Sequence, residues 1–479
     1  MSAVKAGGVV LVVLAGSLSA QVPPDRSKPP ALAPPPVLSL PSIQKRTLPN
    51  GVGVWVVEAH EVPIVQVSLV VRAGAGDDPA GRFGAASLTA AMLDEGAGAR
   101  SALEIADAVE LLGASLTTGA SFDASAIRLN VPAARLDEAL PILADVALRP
   151  AFPEAELGRL RLERVTALLQ ARDDPASIAG MAFPRMVFGG AHRYGTGAIG
   201  TEATVKALSA GDLRAFHAAH YQPPNATFVV VGDITADAVV PRLDKQFGAW
   251  QATAALRKPA AVPTAPQLTT RQIVIVDTPG AEQSQIRIGW VGVPRSTPDY
   301  FPLIVLNTVL GGSFTSRLNQ NLREEHGYSY GANSAFDMRL SAGPFVAAAG
   351  VQTDKTAEAL HEFFTELTGI RMPIGAEELA KARNYIALGF PAEFETSTDL
   401  SRRLEELVVY GLPDDAFERY VPNVLAVTAD AARTAADIYV QPSRFAVVVV
   451  GDRKAIEPPI RALNLGPVRV LSVEEALGL

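Results

Sequence analysis

Few side chains in this 479-residue sequence are grouped in a way that suits a known catalytic site. The lack of cysteine excludes disulfides, thiol nucleophiles and thiolate zinc sites. Neither a Gly-x-Ser-x-Gly elbow nor a phosphate-binding loop occurs. His217 and His220 lie three residues apart on a predicted helix over 210–220, without a carboxylate at motif spacing. Packed or surface histidines are therefore favoured over a zinc pair, and the same interpretation applies to His60 beside Glu58.

The most suggestive hydrogen-bond donors lie in residues 310–330. Glycines at the start of this stretch predict a loop, a helix bearing Arg317 and Arg323 follows, and the chain enters a strand at Tyr328 and Tyr330. A guanidinium and a phenol can both donate to an oxygen on which negative charge develops. From the residues alone, the simpler interpretation is that Arg323 pairs with one of the two glutamates after it and that Tyr330 packs.

The elements that would position these residues come from an internal duplication. Residues 221–233 and 439–452 both run from a tyrosine through Gln-Pro and a β-branched segment to Gly-Asp. Gly232 and Gly451 are separated by 451 − 232 = 219 positions, and upstream matches keep offsets of 220 and 222. A nearly constant offset over such distances indicates two homologous domains.

Each half shows the same order of predicted elements. An alternating strand (64–72 and 285–291) precedes a helix and a second strand (124–131 and 344–351), and a long helical region follows. We therefore expect an α+β fold of two homologous αβ domains, each a mainly antiparallel sheet covered by helices.

The ends of the two domains are indicated by composition. The predicted segments are a signal peptide (1–20), a Pro-rich leader (21–42), an N-terminal domain (43–257), a Pro-rich linker (258–270) and a C-terminal domain (271–479). Lys5 precedes an apolar run at 9–18 and small residues, an order that is typical of a secretory signal. We expect a periplasmic or exported protein; the alternative is an apolar leader with no export role.

Charge and hydropathy narrow the choice of partners. The formal net charge is −8 and no long run of Lys or Arg occurs, which argues against nucleic acid or an anionic membrane as a partner. The N-terminal apolar run is too short to cross a bilayer, and we expect no membrane span elsewhere.

Two motifs and the duplication carry a resemblance to a known family. Thr47-Leu-Pro-Asn-Gly51, the segment 72–79 and the repeated halves resemble the pitrilysin (insulinase) superfamily, and within it the processing peptidases and their two-domain bacterial relatives. The resemblance spans about residues 40–479. Active members carry His-x-x-Glu-His on the helix after the first strand, where two histidines bind zinc and the glutamate deprotonates the bound water; a distal glutamate completes the site.

This chain lacks that motif. The matching helix reads Gly-Ala-Ala-Ser-Leu-Thr-Ala-Ala-Met from Gly84, which places Ser87, Ala90 and Ala91 at the His, Glu and His positions. The family pattern places the distal ligand at Ala167, and the separation 167 − 91 = 76 agrees with the family. The resemblance therefore implies that all four positions, three for metal ligands and Ala90 for the general base, are vacant and that this chain holds no metal.

Other acidic or imidazole side chains could in principle replace these ligands. Asp94 and Glu95 follow the helix, but an acidic pair before a glycine is more often a solvated helix end. His192, with Arg193 and Tyr194, falls in a Gly-rich loop and is interpreted as structural.

The same resemblance gives Arg323 and Tyr330 a role. In active relatives an Arg and a Tyr seven residues apart reach from the C-terminal domain to the zinc site and bind the substrate carbonyl; here 330 − 323 = 7. Tyr328 and Arg317 are secondary substrate-binding candidates, although Arg317 is better suited to bracing the loop.

These features predict a non-catalytic, substrate-binding subunit of a heterodimeric zinc peptidase. Its partners would be a homologous subunit that carries His-x-x-Glu-His and an unfolded peptide held along an edge strand. Zinc is expected in the partner, and no cofactor is expected in this chain. The alternatives are a stand-alone peptide-binding or scaffold protein and a hydrolase with an unrecognised site.

Overall fold

The computed structural model describes residues 40–252 and 262–479. The predicted signal peptide, the leader up to residue 39 and residues 258–261 of the predicted linker lie outside the described residues. No helix within the described ranges combines the length and the apolar character needed to cross a membrane.

The first half contains eight strands and eight α-helices within the described residues. The strands are β1 (Gln44–Thr47), β2 (Gly53–Glu58), β3 (Ile64–Val71), β4 (Gly96–Ala97), β5 (Arg100–Ser101), β6 (Ser115–Ala120), β7 (Ser125–Pro132) and β8 (Ala226–Gly232). The helices are α1 (Ala85–Ala91), α2 (Ala102–Leu111), α3 (Leu136–Leu148), α4 (Glu154–Gln170), α5 (Pro175–Phe188), α6 (Glu202–Ala207), α7 (Ala210–His220) and α8 (Ala236–Phe247).

The second half repeats this order with more helices. The strands are β9 (Gln272–Asp277), β10 (Gln283–Val291), β11 (Ser329–Phe336), β12 (Pro344–Gln352), β13 (Ala446–Gly451) and β14 (Val468–Leu471). The helices are α9 (Tyr300–Leu310), α10 (Arg317–Asn319), α11 (Thr356–Gly369), α12 (Ala376–Gly389), α13 (Ser397–Tyr410), α14 (Tyr420–Ala426), α15 (Ala429–Tyr439), α16 (Arg453–Ala462) and α17 (Val473–Leu477). A π-helical segment, Gln320–Glu325, continues α10.

Each half forms a six-stranded mixed sheet, and five strands have the same order in both. The first sheet runs β1-β2-β8-β3-β7-β6 and the second, read from its other edge, runs β14-β9-β13-β10-β12-β11. Only β2–β8 in the first sheet and β13–β9–β14 in the second are parallel. The predicted α+β fold of two homologous, mainly antiparallel sheets covered by helices is confirmed. In both sheets the last strand of this order, β6 or β11, is an edge.

The β-branched runs before Gly-Asp are buried on both faces. In β13, Val447 and Val449 face the core of their own half, whereas Val448 and Val450 face the opposite side, as the two-residue period of a strand requires. In β8, Val230 and Val231 divide between two cores in the same way. Burial on both faces explains why these strands are continuously apolar instead of alternating.

The second face of each sheet is covered by a helix from the other half, which the sequence analysis did not predict. Helix α5 of the first half packs on β10 and β13, where Ile178 and Phe183 meet the apolar side chains of the second sheet. Helix α13 of the second half packs on β3 and β8 through Leu404 and Leu407. Because each half supplies a helix to the other's core, neither sheet is fully covered by its own half.

Candidate functional site

Helix α1 carries three of the four vacant positions that the resemblance assigns. Ala90 is fully buried, Ser87 and Ala91 are half-buried, and Ala167 is exposed on α4. Alanine has no donor atom for a metal, and a lone serine hydroxyl is a poor zinc ligand. Within residues 40–252 and 262–479, no group of three His, Asp or Glu side chains is arranged to hold a metal ion.

The N-terminus of α1 is fixed by a buried carboxylate. Asp78 accepts hydrogen bonds from the backbone N–H of Gly84 and of Ala86, both at 2.7 Å, and thereby satisfies donors at the start of the helix. Arg193 lies 2.7 Å from the same carboxylate, and its guanidinium also donates to Thr196 Oγ1 at 3.0 Å. The site scaffold therefore depends on an ion pair between residues 115 positions apart.

A second arginine lies between the helices that carry the vacant positions. Arg164 on α4 donates from Nη2 to the backbone oxygen of Ser87 at 2.9 Å. Burial lowers the pKa of the Arg164 guanidinium to about 10, against the opposing attraction of Asp78. The guanidinium is therefore a cation at neutral pH. Three absent ligands and a nearby positive charge do not fit a zinc ion in this half.

The acidic pair after α1 does not rescue the site. Glu95 forms an ion pair with Arg159 at 2.5 Å, and Asp94 accepts a hydrogen bond from Thr118 Oγ1 at 3.4 Å. Burial raises the pKa of the Asp94 carboxyl. Each carboxylate is thus bound to a different neighbour, and these contacts do not group Asp94 and Glu95 with a histidine as a metal site would require.

The histidines are structural, as the sequence analysis favoured. The predicted helix over 210–220 coincides with α7, where His217 donates from Nε2 to the Ala147 carbonyl at 2.9 Å. His220 is buried with its ring 4.4 Å from that of Phe216. His192 contacts the Pro263 carbonyl at 2.7 Å.

His60 bridges two carboxylates at the surface. Its Nδ1 lies 2.7 Å from Asp233 and its Nε2 lies 3.4 Å from Glu58. Hydrogen bonds to these carboxylates, Asp233 first, raise the pKa of His60.

His217 makes a testable contribution to pH dependence. Burial lowers the pKa of His217, so the unfolded chain binds a proton at higher pH than the folded chain does. The stability it contributes is present above about pH 6.5 and is lost as the pH falls through the lower folded pKa. We expect His217→Gln, whose amide can still donate to Ala147, to lose less stability between pH 7 and pH 5 than the unsubstituted protein, measured as urea midpoints. His60→Gln is the control and should change the slope in the opposite sense; equal slopes for His217→Gln and the unsubstituted protein would contradict this assignment.

Arg323 lies on the π-helical segment with its guanidinium near the surface. It stacks over the Phe314 ring at 4.6 Å and lies 3.3 Å from Glu324, one of the two glutamates proposed as its partner from sequence. Both partners are themselves largely exposed. Exposed ion pairs of this kind contribute little to stability and restrain the arginine weakly.

Tyr330 is at the start of edge strand β11 and is 95% exposed. The simpler interpretation, that this tyrosine packs, is therefore not what the structure shows. A register shift between Ser329 and Ala332 interrupts the ladder there, and Ser329 Oγ donates toward the Gly350 carbonyl at 2.8 Å. A bulge of this kind re-aims side chains on an edge strand.

The two secondary candidates are more strongly engaged. Arg317 donates two hydrogen bonds of 2.7 Å to the Glu378 carboxylate, and this carboxylate raises the pKa of Arg317. That geometry suits the bracing role. Tyr328 stacks on His326 with a ring separation of 4.9 Å and packs against the second-half core.

The sequence did not indicate the roles of Asp78 and Arg164, and it indicated a structural role for Arg193 without its partner Asp78. The one available signal was Asp77-Asp78-Pro79 shortly before a helix that begins after Gly84, which is typical of a capped helix start. Nothing in the local sequence indicates that Arg193 or Arg164 reaches α1.

Both halves of the chain match models of one protein family. Residues 54–180 match the family described as Insulinase (Peptidase family M16), and residues 207–386 match the one described as Peptidase M16 inactive domain. An uncharacterized zinc protease from Mycobacterium leprae is 30% identical over 307 residues, which cover 62% of this chain and 67% of that protein.

Solved structures share the fold. A peptidase M16 inactive domain from Pseudomonas fluorescens superposes with a TM-score of 0.79 at 24% identity, covering 86% of this chain and 98% of that one. A protease from Helicobacter pylori gives 0.78 at 22% identity, covering 86% and 100%. The matched ranges include the vacant positions on α1 and α4 as well as Arg323 and Tyr330, and the chain belongs to the insulinase family, peptidase family M16.

Proposed function

We propose that this chain is the non-catalytic, substrate-binding subunit of a heterodimeric zinc peptidase. The observation that carries the proposal is an asymmetry between the halves. The first half lacks the usual side chains at the three ligand positions and at the general-base position, whereas the second half holds Tyr330 95% exposed and Arg323 partly exposed. In this proposal zinc belongs to a homologous partner that carries His-x-x-Glu-His, and Arg323 and Tyr330 complete the partner's site.

The role of the pair is hydrogen-bond donation. The guanidinium of Arg323 and the phenol of Tyr330 donate to the carbonyl oxygen of the bond to be cleaved, where negative charge develops. Both are restrained by exposed contacts only, which leaves them free to meet a substrate supplied at the interface between subunits.

The substrate in this proposal is an unfolded peptide. Strand β11 is a sheet edge, but on its outer side the Ser334 N–H already donates to the Gly311 carbonyl and the Ala332 N–H to Asn319 Oδ1. Strand β6 is the edge of the other sheet and packs beside α1, which makes it the better edge for a peptide. An extended peptide can add to such an edge through main-chain hydrogen bonds, with little dependence on its sequence. A folded protein cannot present a free strand in this way.

Zinc binding and peptidase assays on the isolated chain test whether its metal site is absent. We expect far less than one zinc per chain after dialysis against micromolar zinc, and no cleavage of an unfolded peptide, because a single serine hydroxyl replaces three ligands and alanine replaces the general base. Metal content by plasma mass spectrometry is the measurement. One tightly bound zinc per chain together with peptidase activity would refute the proposal in favour of an unrecognised hydrolytic site.

The assembly is tested by co-expression. The chain should co-purify with the His-x-x-Glu-His protein encoded nearest to it, and the pair should cleave an unfolded peptide that neither chain cleaves alone. If the two chains elute separately while this chain alone binds the peptide, the stand-alone peptide-binding or scaffold function replaces the subunit function.

The compartment is part of the proposal. The basic residue and short apolar run at the N-terminus support export to the periplasm or beyond. Fractionation of cells that express the full chain, with mass determination of the mature N-terminus, tests this; a cytoplasmic protein with the N-terminus intact would contradict it.

A further inference from the structure

Arg164 spans the gap between the two helices that carry the vacant positions. It lies on α4 three residues before Ala167, and its Nη2 reaches the backbone oxygen of Ser87 on α1 at 2.9 Å. In active relatives, as the resemblance implies, a metal ion links these same two helices through side chains at the positions of Ser87, Ala91 and Ala167. The guanidinium therefore makes the connection that a metal would otherwise make.

The surroundings of Arg164 hold it in place as a charged group. The residue is half-buried, and its Nη1 atom is buried with no hydrogen-bond partner among the described residues. Asp78, which caps α1, attracts the guanidinium. A buried cation with one unused donor is costly, so it persists where its remaining contact and the attraction of a nearby carboxylate offset that cost.

A second cation at this position would be strongly disfavoured. A divalent ion bound at residues 87, 91 and 167 would share the space between α1 and α4 with the guanidinium, which contacts the backbone of Ser87, and repulsion between a single and a double charge is strong in a partly desolvated site. Active sites of the family need the opposite arrangement, in which ligands reduce the charge of the ion.

We infer that Arg164 replaces the metal ion as the cationic tie between α1 and α4, and that its charge bars divalent cations from this half independently of the missing ligands. The inference concerns this chain alone and stands whether or not a partner subunit exists.

The test restores the ligands with and without the arginine. One variant carries Ser87→His, Ala90→Glu, Ala91→His and Ala167→Glu; a second carries the same four changes with Arg164→Met. Zinc affinity is measured by competition with a chromophoric chelator. We expect the second variant to bind zinc at least about tenfold more tightly, because the repulsive charge is gone. Equal affinities would overturn the metal-exclusion part of the inference.

The link that Arg164 makes between α1 and α4 is tested by a single substitution in the otherwise unchanged chain. This test does not require the variants with restored ligands to fold. Arg164→Met should increase hydrogen exchange of the α1 amides by at least about tenfold, since the helix loses its link to α4. Arg161→Met is the matched control, because Arg161 is on the same helix and its Nη2 donates to the backbone oxygen of Leu208 and not to α1. If both variants leave α1 exchange unchanged, Arg164 is not a tie.

Discussion

Replacing Arg323 with alanine, or Tyr330 with phenylalanine, should lower kcat of the two-chain complex by about 100-fold in each case. Removing one donor from an oxyanion site typically raises the activation barrier by about 3 kcal/mol. A barrier increase of this size corresponds to a loss of roughly 100-fold in kcat. Tyr330 is exposed, and the Arg323 side chain is about one-third exposed with contacts to exposed partners, so their substitution should leave the stability of the isolated chain unchanged within about 0.5 kcal/mol.

The distribution of the loss between kcat and KM distinguishes this role from simple peptide binding. Donors that act on developing negative charge lower kcat and kcat/KM together, whereas donors that only hold the peptide raise KM. Steady-state cleavage of an unfolded peptide gives both constants. Tyr385→Phe and Arg419→Ala, which alter exposed side chains elsewhere in the second half, serve as controls and should retain full rates. Unchanged cleavage by Arg323→Ala combined with Tyr330→Phe would remove the pair from the site.

Substituting Arg193 with methionine should destabilise the chain by about 3–5 kcal/mol. Asp78 and Arg193 are both buried, with side-chain exposures of 0% and 5%, and removal of the arginine leaves an uncompensated buried carboxylate. The substitution also removes the hydrogen bond from the guanidinium to Thr196 Oγ1. The free energy of unfolding from urea titration, followed by circular dichroism, is the measurement.

An exposed pair supplies the control for this prediction. Arg242 and Asp137 are 2.8 Å apart with exposures of 41% and 70%, so Arg242→Met should cost no more than about 1 kcal/mol. Asp78→Leu combined with Arg193→Met should recover part of the loss and not all of it, because Asp78 also caps α1. A cost for Arg193→Met as small as that of the control would show that the buried pair does not hold the site scaffold.

Much of the fold followed from local patterns in the sequence. The constant offset near 220 and the β-branched runs before Gly-Asp were enough to predict two homologous sheets, and helix α7 begins and ends where its pattern predicted. The period of apolar residues indicates which face of a helix or strand is buried, and a sequence repeat at a constant offset indicates that the same structural unit occurs twice. The roles of Arg323 and Tyr330 rest on spacing and resemblance and remain predictions.

Sequence alone determined that the site positions assigned by the resemblance lack their usual side chains, because this depends only on residue identity at Ser87, Ala90, Ala91 and Ala167. Only the tertiary structure decided what takes their place. Arg164 meets Ser87 across 77 positions, and Arg193 meets Asp78 across 115. For a related reason, the sequence did not predict that α5 packs on the second-half sheet and α13 on the first-half sheet. An apolar helix face indicates burial but does not specify which sheet covers it. Long-range pairing depends on how the halves pack together, and burial drives that packing without specifying partners.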